Sequence, residues 1–294
     1  MPRIALVTAI AAHGKDDDIP PLRDALAEAG MDSEVLAWDD PSVSWRRFDA
    51  ALLRAPWDYT QRLAEFMAWC ARADRATRLL NPLSVLRWNT DKRYLGDLAG
   101  AGVPVVESVF VAPGEDPDAA LPDWAESVVK PCVGAGSRDA QRFLRSEREQ
   151  ALAHARRLLD DGRHVLAQPY LDAVDHKGET ALVHFGGTFS HAIRKAALLE
   201  RGATPTSHLF APERITPRKP SSEELTLARR ALDATAAILG LDHALAYARV
   251  DLLPSPQGPR LLELELTEPS LFFAHAPRTA PGKLAAAVRE RLDG

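Results

Sequence analysis

Short apolar runs alternate with helical patterns over the first hundred residues of this chain. The runs have the length of buried strands, whereas two longer segments repeat their apolar residues with helical spacing. Strands that alternate with helices favour a parallel sheet with crossover connections, so we expect an α/β lobe over residues 1–103. The predicted strands are residues 4–8, 33–37, 50–54 and 78–80, and the predicted helices are residues 21–30 and 63–73.

After Pro104 the pattern changes to strands in hairpins and fewer helices. This change predicts two further lobes, at residues 104–170 and 171–294, the last built on an antiparallel sheet. The predicted strands are residues 105–111, 127–130, 165–171, 180–185, 188–194, 247–251 and 261–266, and the predicted helices are residues 146–160 and 221–239. The fold class that follows is α/β with α+β lobes.

The hairpin of the last two predicted strands is rich in acidic side chains. Side chains alternate faces along a strand, so Arg249 and Asp251 share one face, as do Glu263 and Glu265 on the neighbouring strand. Magnesium is usually held by one or two carboxylates while nucleotide phosphates complete its shell. The hairpin therefore predicts a site for Mg²⁺ and ATP, and solvent-facing acids on an amphipathic hairpin are the alternative.

Two lysines precede this hairpin in positions that suit phosphate binding. Lys92 follows Asn89 and Thr90, which can cap a helix predicted to run to Gly100. Lys130 ends a strand and precedes a loop whose glycines allow backbone amides to approach phosphate oxygens. The loop residues expected at the phosphates are Gly134, Gly136 and Ser137.

Three later features complete the predicted nucleotide site. The strand at residues 165–171 breaks at a proline, which leaves backbone groups unpaired beside apolar side chains, as an adenine ring requires. Its adenine-binding residues would be Gln168, Pro169, Tyr170 and Leu171. Lys195 ends another strand and is expected to reach the γ-phosphate, the alternative being a solvated strand end. Residues 201–220 are polar and proline-rich, either a lid or a disordered segment, and we favour the lid because it would exclude water.

In this order and spacing, the lysines, the glycine loop and the acidic strands resemble the ATP-grasp superfamily over about residues 80–270. The resemblance implies the ATP-grasp fold, with a preATP-grasp lobe in front, a central lysine-bearing lobe and a C-terminal antiparallel lobe. It implies that Lys92 and Lys130 contact phosphates, that residues 168–171 bind adenine, and that Asp251, Glu263 and Glu265 hold Mg²⁺. Many relatives carry asparagine where this chain has Glu265.

Two segments are candidates for binding a second, amino-acid-like substrate. Residues 54–59 follow a strand at the edge where open α/β sheets gather ligands. There, Arg54 can pair with a carboxylate and Asp58 with an ammonium group, beside Trp57 and Tyr59; a packed interface loop is the alternative. Directly after the second acidic strand come Glu268 and Ser270, which would face the group that is activated.

Composition narrows the class of protein further. A chain of 294 residues with 46% apolar content can bury a sizeable core. Its net charge of −5 and the absence of a basic run argue against a nucleic-acid partner, and no apolar run has membrane length. Two cysteines do not make a disulfide framework, so we expect a cytoplasmic enzyme. Whether the chain forms a homodimer is left open.

Several stretches resemble, within the superfamily, a group of small enzymes that includes cycloserine synthetase. They are residues 54–59, 81–82, 89–92, 178–180, 189–195 and 263–272. The resemblance implies an ADP-forming cyclo-ligase: O-ureido-D-serine becomes an acyl phosphate, and its own nitrogen closes the ring of the antibiotic D-cycloserine. Arg249 would stabilise the oxyanion of that step. An intermolecular carboxylate–amine or peptide ligase stays open as the alternative, and a non-catalytic nucleotide-binding module has no need of so many lysines and acids.

Overall fold

The computed structural model of the chain describes residues 1–199, 202 and 214–293. Its first sheet has four parallel strands in the order β2-β1-β3-β4, as the alternating pattern predicted. The strands are β1 Arg3–Thr8, β2 Asp32–Ala37, β3 Ala50–Ala55 and β4 Arg78–Leu80, and the first two helices are α1 Ile19–Glu28 and α2 Leu63–Asp74. Short 3₁₀ turns lie at Ile10–Ala12, Trp45–Arg47, Trp57–Gln61, Arg145–Glu147 and Phe273–His275.

Lys92 does not lie in a helix, contrary to the sequence prediction. One helix, α3 (Leu83–Asn89), ends before it, and the next, α4 (Tyr94–Gly100), begins after it. Asn89 does not cap a helix either. Its side chain forms hydrogen bonds with the backbone of Leu264 and Leu266, near the C-terminal end of a strand described below as β13. Lys92 therefore sits in a turn, where its backbone N–H donates to the Cys132 carbonyl at 2.9 Å.

The second sheet is antiparallel, with the order β5-β8-β6-β7. Its elements are β5 Val109–Val111, α5 Pro117–Ala120, β6 Glu126–Pro131, β7 Gln141–Leu144, α6 Arg148–Asp160 and β8 Val165–Pro169. Of the strand predicted over residues 105–111, only Val109–Val111 forms a strand of this sheet. Its first part forms backbone hydrogen bonds with Leu261 of the third sheet, from Val106 N–H and to the Pro104 carbonyl, 2.8 Å each.

The third sheet has five antiparallel strands in the order β11-β10-β9-β12-β13. Its elements are α7 Ala173–Lys177, β9 Glu179–Phe185, β10 Thr188–Lys195, β11 Ile215–Arg218, α8 Ser222–Leu239, β12 Tyr247–Leu253, β13 Arg260–Glu265 and α9 Ala280–Asp293. Strand β11 lies in the segment predicted as a lid or disordered, so the disordered alternative is wrong for residues 215–218 and the lid stays a prediction. Residues 200, 201 and 203–213 of that segment lie outside the described residues.

Buried side chains connect the first and third sheets into one core. Leu6 of β1 and Leu26 of α1 belong to the same cluster as Tyr247 of β12 and Leu284 of α9. The C-terminal helix thus packs on the N-terminal lobe, which fixes the position of that lobe beside β12 and β13. The limits at residues 103 and 170 stay a prediction. Among the described residues, no helix is long and apolar enough to cross a membrane.

Candidate active site

All three lobes contribute residues to one cavity of about 510 Å³. The second sheet supplies Lys130 and Gln168, the third supplies Lys195 and Asp251, and the N-terminal lobe supplies Tyr59. Every residue predicted from the sequence to bind nucleotide or metal lines this cavity. A single site therefore contains the lysines, the glycine loop and the acidic hairpin.

The acidic hairpin places its charges on one face, as the alternation of side chains predicted. In the register of β12 and β13, Arg249 lies opposite Glu265 and Asp251 lies opposite Glu263. Arg249 donates from Nε to Asp251 Oδ1 and from Nη2 to Asp251 Oδ2, each at 2.9 Å, and Nη2 also donates to Glu265. This bidentate geometry fixes the guanidinium on the floor of the cavity.

Lys195 lies between two carboxylates. Its Nζ is 2.6 Å from Glu179 Oε1 and 2.7 Å from Asp251 Oδ2. Burial alone would raise the pKa of Asp251, but the cations of Arg249 and Lys195 hold it well below its usual range. Burial outweighs the Lys195 charge at Glu179 and raises the pKa of that carboxyl to about 7.

Lys92 and Lys130 also line the cavity. The Lys92 Nζ lies 2.8 Å from Glu263 Oε1 and donates to the Gly134 carbonyl at 2.6 Å. Burial disfavours its charge, yet the neighbouring carboxylates raise the pKa of Lys92 above its ordinary value. Lys130 has no ion-pair partner within the described part of the chain, and burial lowers its pKa.

The donor set suits a hard cation that shares its shell with phosphate oxygens. Among the residues that the structure describes, no group of three or more acidic, histidine or cysteine side chains forms a complete metal cage. Instead, Arg249 pairs with Asp251 and Glu265, and Lys92 pairs with Glu263. Magnesium ordinarily takes only one or two carboxylates beside a nucleotide, so these oxygens fit that ion.

The glycine loop after β6 has an unusual backbone. Gly136, Ser137 and Asp139 have positive φ angles of 62°, 58° and 59°. The last is held there by Arg163, whose Nη1 donates to its carboxylate at 2.6 Å. Backbone nests that bind anions combine left-handed residues of this kind with right-handed ones, so the loop is a candidate for binding phosphate. Gly134, Gly136 and Ser137 all line the cavity.

The end of β8 forms an apolar slot. Gln168 is buried and donates from Nε2 to Ser108 Oγ at 3.0 Å, while the Tyr170 ring lies against the Arg142 guanidinium. Apolar side chains around this strand end form one small cluster, whose buried members are Val106, Val174 and Leu253. Pro169, Tyr170 and Leu171 line the cavity beside it. A flat aromatic ring fits between such walls.

Two of the predicted substrate residues do not reach the cavity. The Arg54 side chain is completely buried, with Nη2 at 3.2 Å from Asp16 Oδ2 and 3.7 Å from Asp18 Oδ2. Asp58 accepts hydrogen bonds from Trp38 Nε1 at 2.9 Å and Arg62 Nη1 at 3.0 Å. Neither residue lines the cavity, so the structure does not support their predicted contact with substrate.

The other predicted substrate residues, Trp57, Tyr59, Glu268 and Ser270, do line the cavity. Glu268 is almost completely buried and shares a hydrogen bond with Tyr59. Burial, aided by the nearby Glu265 charge, raises the pKa of Glu268 to about 8 despite that hydrogen bond. A carboxyl with such a pKa can hold or release a proton near neutral pH.

Sequence reasoning assigned no role to two sets of acidic residues at the site. Glu179 pairs directly opposite Lys195 in the β9–β10 register, so the predicted hairpin contained the signal that was needed to find it. Asp16, Asp17 and Asp18 line the cavity from the N-terminal lobe, but their run of charges resembles an ordinary exposed turn in the sequence.

Comparison with known proteins agrees with this geometry. A family model described as the N-terminal domain of D-cycloserine synthetase DcsG matches residues 4–81. The cycloserine biosynthesis protein DcsG of Streptomyces lavendulae is 43% identical over 98% of both chains. The chain belongs to the DcsG family. A crystal structure of D-cycloserine synthetase DcsG superposes with a TM-score of 0.93, at 42% identity and over 99% of both chains.

More distant structures show the fold. A RimK domain protein of ATP-grasp type from Sphaerobacter thermophilus has a TM-score of 0.68 at 17% identity, over 98% of this chain and 99% of that one. The D-alanine–D-alanine ligase of Bacillus anthracis in complex with ATP gives 0.65 at 14% identity, over 99% and 97%. This DcsG-family chain is therefore an ATP-dependent ligase of the ATP-grasp fold, as the sequence resemblance indicated.

Proposed function

We propose that this ligase activates the carboxylate of an amino-acid substrate with ATP and closes a ring by intramolecular attack of nitrogen. Its substrate would be O-ureido-D-serine and its product D-cycloserine. The observation that supports this most is the single cavity. In it, lysines suited to binding phosphate and the carboxylates of the β12–β13 hairpin lie beside the polar residues Tyr59, Glu268 and Ser270. A site of this composition can bring a nucleotide and a small zwitterion together.

The nucleotide would lie along the second sheet. Its adenine would occupy the slot at residues 168–171, and its phosphates would lie against Lys92, Lys130 and the glycine loop. Asp251, Glu263 and Glu265 would hold Mg²⁺, which would neutralise charge on the phosphates during transfer.

Exchange of ion pairs would accompany nucleotide binding. Lys92 now neutralises Glu263, and Lys195 neutralises Asp251 and Glu179. When a divalent cation takes over Asp251 and Glu263, these ammonium groups can turn to phosphate oxygens without leaving either of those two carboxylates uncompensated. Lys195 would then contact the γ-phosphate.

The chemical steps require positioning more than covalent catalysis. The substrate carboxylate attacks the γ-phosphorus, ADP departs, and the substrate nitrogen attacks the acyl carbon with release of phosphate. Arg249 would stabilise the oxyanion that forms at the acyl carbon, because its charge is held in a buried position on the cavity floor. Hydrolytic loss of the carbamoyl group as carbon dioxide and ammonia completes the balance.

Ring closure is favoured over intermolecular ligation by the relative named for cycloserine biosynthesis. Incubating the protein with ATP and O-ureido-D-serine alone tests this proposal. We expect ADP and D-cycloserine in equal amounts, with no ADP from the L-enantiomer. ADP release only after D-alanine or another amine is added would instead make the protein an intermolecular ligase, and no release with either would refute carboxylate activation of this substrate.

A further inference from the structure

The carboxylate of Asp18 binds three successive backbone amides that are more than 250 residues away in sequence. Oδ2 accepts from Leu271 N at 2.6 Å and Phe272 N at 3.0 Å, while Oδ1 accepts from Phe273 N at 2.7 Å. Asp18 is 6% exposed, so these bonds are shielded from water. A buried carboxylate with three N–H donors is a strong, directional contact.

The loop that Asp18 holds, residues 270–273, has a conformation that needs support. Phe272 has φ 55° and ψ 41°, in the left-handed region that is unfavourable for a residue other than glycine. This backbone turns the three N–H groups toward one point. The negative charge of Asp18 stabilises that arrangement, since the amides would otherwise repel one another.

Other contacts connect the same loop to Arg249. Arg249 Nη1 donates to the Ser270 carbonyl at 3.1 Å, and its guanidinium carbon lies 5.3 Å from the centre of the Phe272 ring. On the far side, His191 Nε2 donates to the Leu271 carbonyl at 2.8 Å. Burial lowers the pKa of His191, which favours a neutral ring in this contact. Asp18, His191 and Arg249 thus fix the loop from three directions.

Arg54 lies next to Asp16 and Asp18 and contributes to the site through them. Its guanidinium carries the positive charge nearest to Asp16 and Asp18, at 3.2 and 3.7 Å, in a place without solvent access. Arg54 therefore places a buried positive charge next to both Asp16 and the acid that holds the loop.

From these contacts we infer that Asp18 is a positioning residue for the amino-acid half of the site. It acts through the 270–273 loop, which carries Ser270 and Phe272 on the cavity wall and orients Arg249. This inference rests on the proposed function, because Arg249 and Ser270 are assigned to the substrate there. The nucleotide half, at residues 168–171, shares none of these contacts.

A double-mutant cycle between Asp18 and Arg249 tests the inference. Asp18→Asn keeps the size of the side chain but removes its charge, and should lower kcat/KM for O-ureido-D-serine by about tenfold or more. The Kd of MgATP should change by less than about threefold. Because Asp18 acts on the loop that Arg249 bonds, Asp18→Asn should have a smaller effect in an Arg249→Lys background than in wild type. Effects that multiply, or an equal loss of MgATP affinity, would overturn the inference.

Two further variants separate positioning from folding. Asp24→Asn removes an exposed carboxylate on α1, the helix that follows Asp18, and should leave kcat/KM and the melting temperature unchanged. Asp18→Glu keeps the charge beside Arg54 but moves the carboxylate by one methylene. It should fold as stably as wild type, with a kcat/KM between those of wild type and Asp18→Asn. Wild-type kcat/KM in Asp18→Glu and Asp18→Asn alike would contradict a positioning role.

Hydrogen exchange supplies a measurement that does not depend on turnover. The amides of Leu271, Phe272 and Phe273 should exchange faster in Asp18→Asn than in wild type or Asp24→Asn, while those of β12 stay protected. Unchanged exchange rates at these three amides would refute the proposal that Asp18 fixes the loop, and this result would not depend on which substrate the enzyme uses. If the loop loosens but wild type releases no ADP with O-ureido-D-serine, then the proposed function has failed and the Asp18 contact has not.

Discussion

The ammonium of Lys92 lies 2.8 Å from the carboxylate of Glu263, although 171 positions separate the two residues in sequence. This ion pair joins the turn between α3 and α4 to the edge strand β13 at the cavity. Burial penalises both charges, yet each keeps the other ionised: the Lys92 pKa is raised and the Glu263 pKa is lowered. The site therefore keeps its charges in place before any ligand binds.

Replacing Glu263 tests the proposed magnesium position. Glu263→Gln preserves the volume of the side chain but removes the charge, and loss of one such electrostatic contact costs about a hundredfold or more in rate. We expect that loss in kcat, measured as ADP release at saturating magnesium. Glu265→Asn should be milder, because many ATP-grasp relatives carry asparagine there.

Glu149→Gln is the matched control, since Glu149 is an exposed glutamate on α6. It should retain wild-type activity. If Glu263→Gln stays within about threefold of this control, Glu263 has no part in handling the metal or the phosphates.

Two of the cavity lysines, Lys130 and Lys195, should differ in their effect on nucleotide binding. Lys130→Ala should weaken ATP and ADP alike, whereas Lys195→Ala should weaken ATP more, because its proposed contact is the γ-phosphate. A charged hydrogen bond contributes roughly 1.5 to 3 kcal/mol. Calorimetric titration of both nucleotides measures the difference, with Lys283→Ala as a control at an exposed position on α9. Equal losses for the two nucleotides in Lys195→Ala would place Lys195 elsewhere.

Most of the fold could be predicted from the local periodicity of apolar residues. The parallel sheet and the β12–β13 hairpin follow from patterns within short segments, and the shared face of Arg249 and Asp251 follows from strand alternation alone. What failed depended on distant partners. Asn89 resembled a helix cap, but its amide bonds to β13. Arg54 resembled a ligand-binding residue, but its partners are acids from the distant segment between β1 and α1. Short segments contain no trace of such contacts.

Asn89 should matter for stability because its side chain bonds the backbone at the C-terminal end of β13. Its Nδ2 donates to the Leu264 carbonyl at 2.6 Å, and its Oδ1 accepts from Leu266 N at 2.8 Å. In Asn89→Ala the Leu264 carbonyl keeps a hydrogen bond from the Tyr94 hydroxyl at 3.0 Å, but the buried Leu266 N–H loses its partner, at about 1–3 kcal/mol. We expect a free energy of unfolding lower by about that amount in urea titration. Gln150→Ala, at an exposed position on α6, is the control, and equal stability of the two variants would contradict the account.

The pH dependence of stability should reveal the buried Glu268. Its pKa is about 8 in the folded protein against an ordinary 4.5, so between these values the folded state holds a proton that the unfolded chain has released. The contribution of this group to the free energy of unfolding therefore falls as pH rises through that window. The upper limit of the loss is about 1.4 kcal/mol for each unit by which the two pKa values differ. Glu179 and Glu265, with pKa values of about 7, contribute with the same sign.

Urea unfolding of wild type and Glu268→Gln between pH 5 and 8 isolates the contribution of Glu268. The variant lacks the titrating group, so its free energy of unfolding should decline less over this range than that of wild type. Parallel declines in the two proteins would show that Glu268 titrates near its ordinary value.

Oxygen transfer tests carboxylate activation most directly. O-ureido-D-serine labelled with ¹⁸O in its carboxylate is incubated with the protein and ATP, and the released phosphate is examined by mass spectrometry. If the carboxylate oxygen attacks the γ-phosphorus and nitrogen then displaces the phosphate, each phosphate carries one ¹⁸O atom, and the ring carbonyl keeps the other. Phosphate without ¹⁸O, formed while ring closure proceeds, would mean that water rather than the carboxylate attacked ATP, and the proposed acyl phosphate would be refuted.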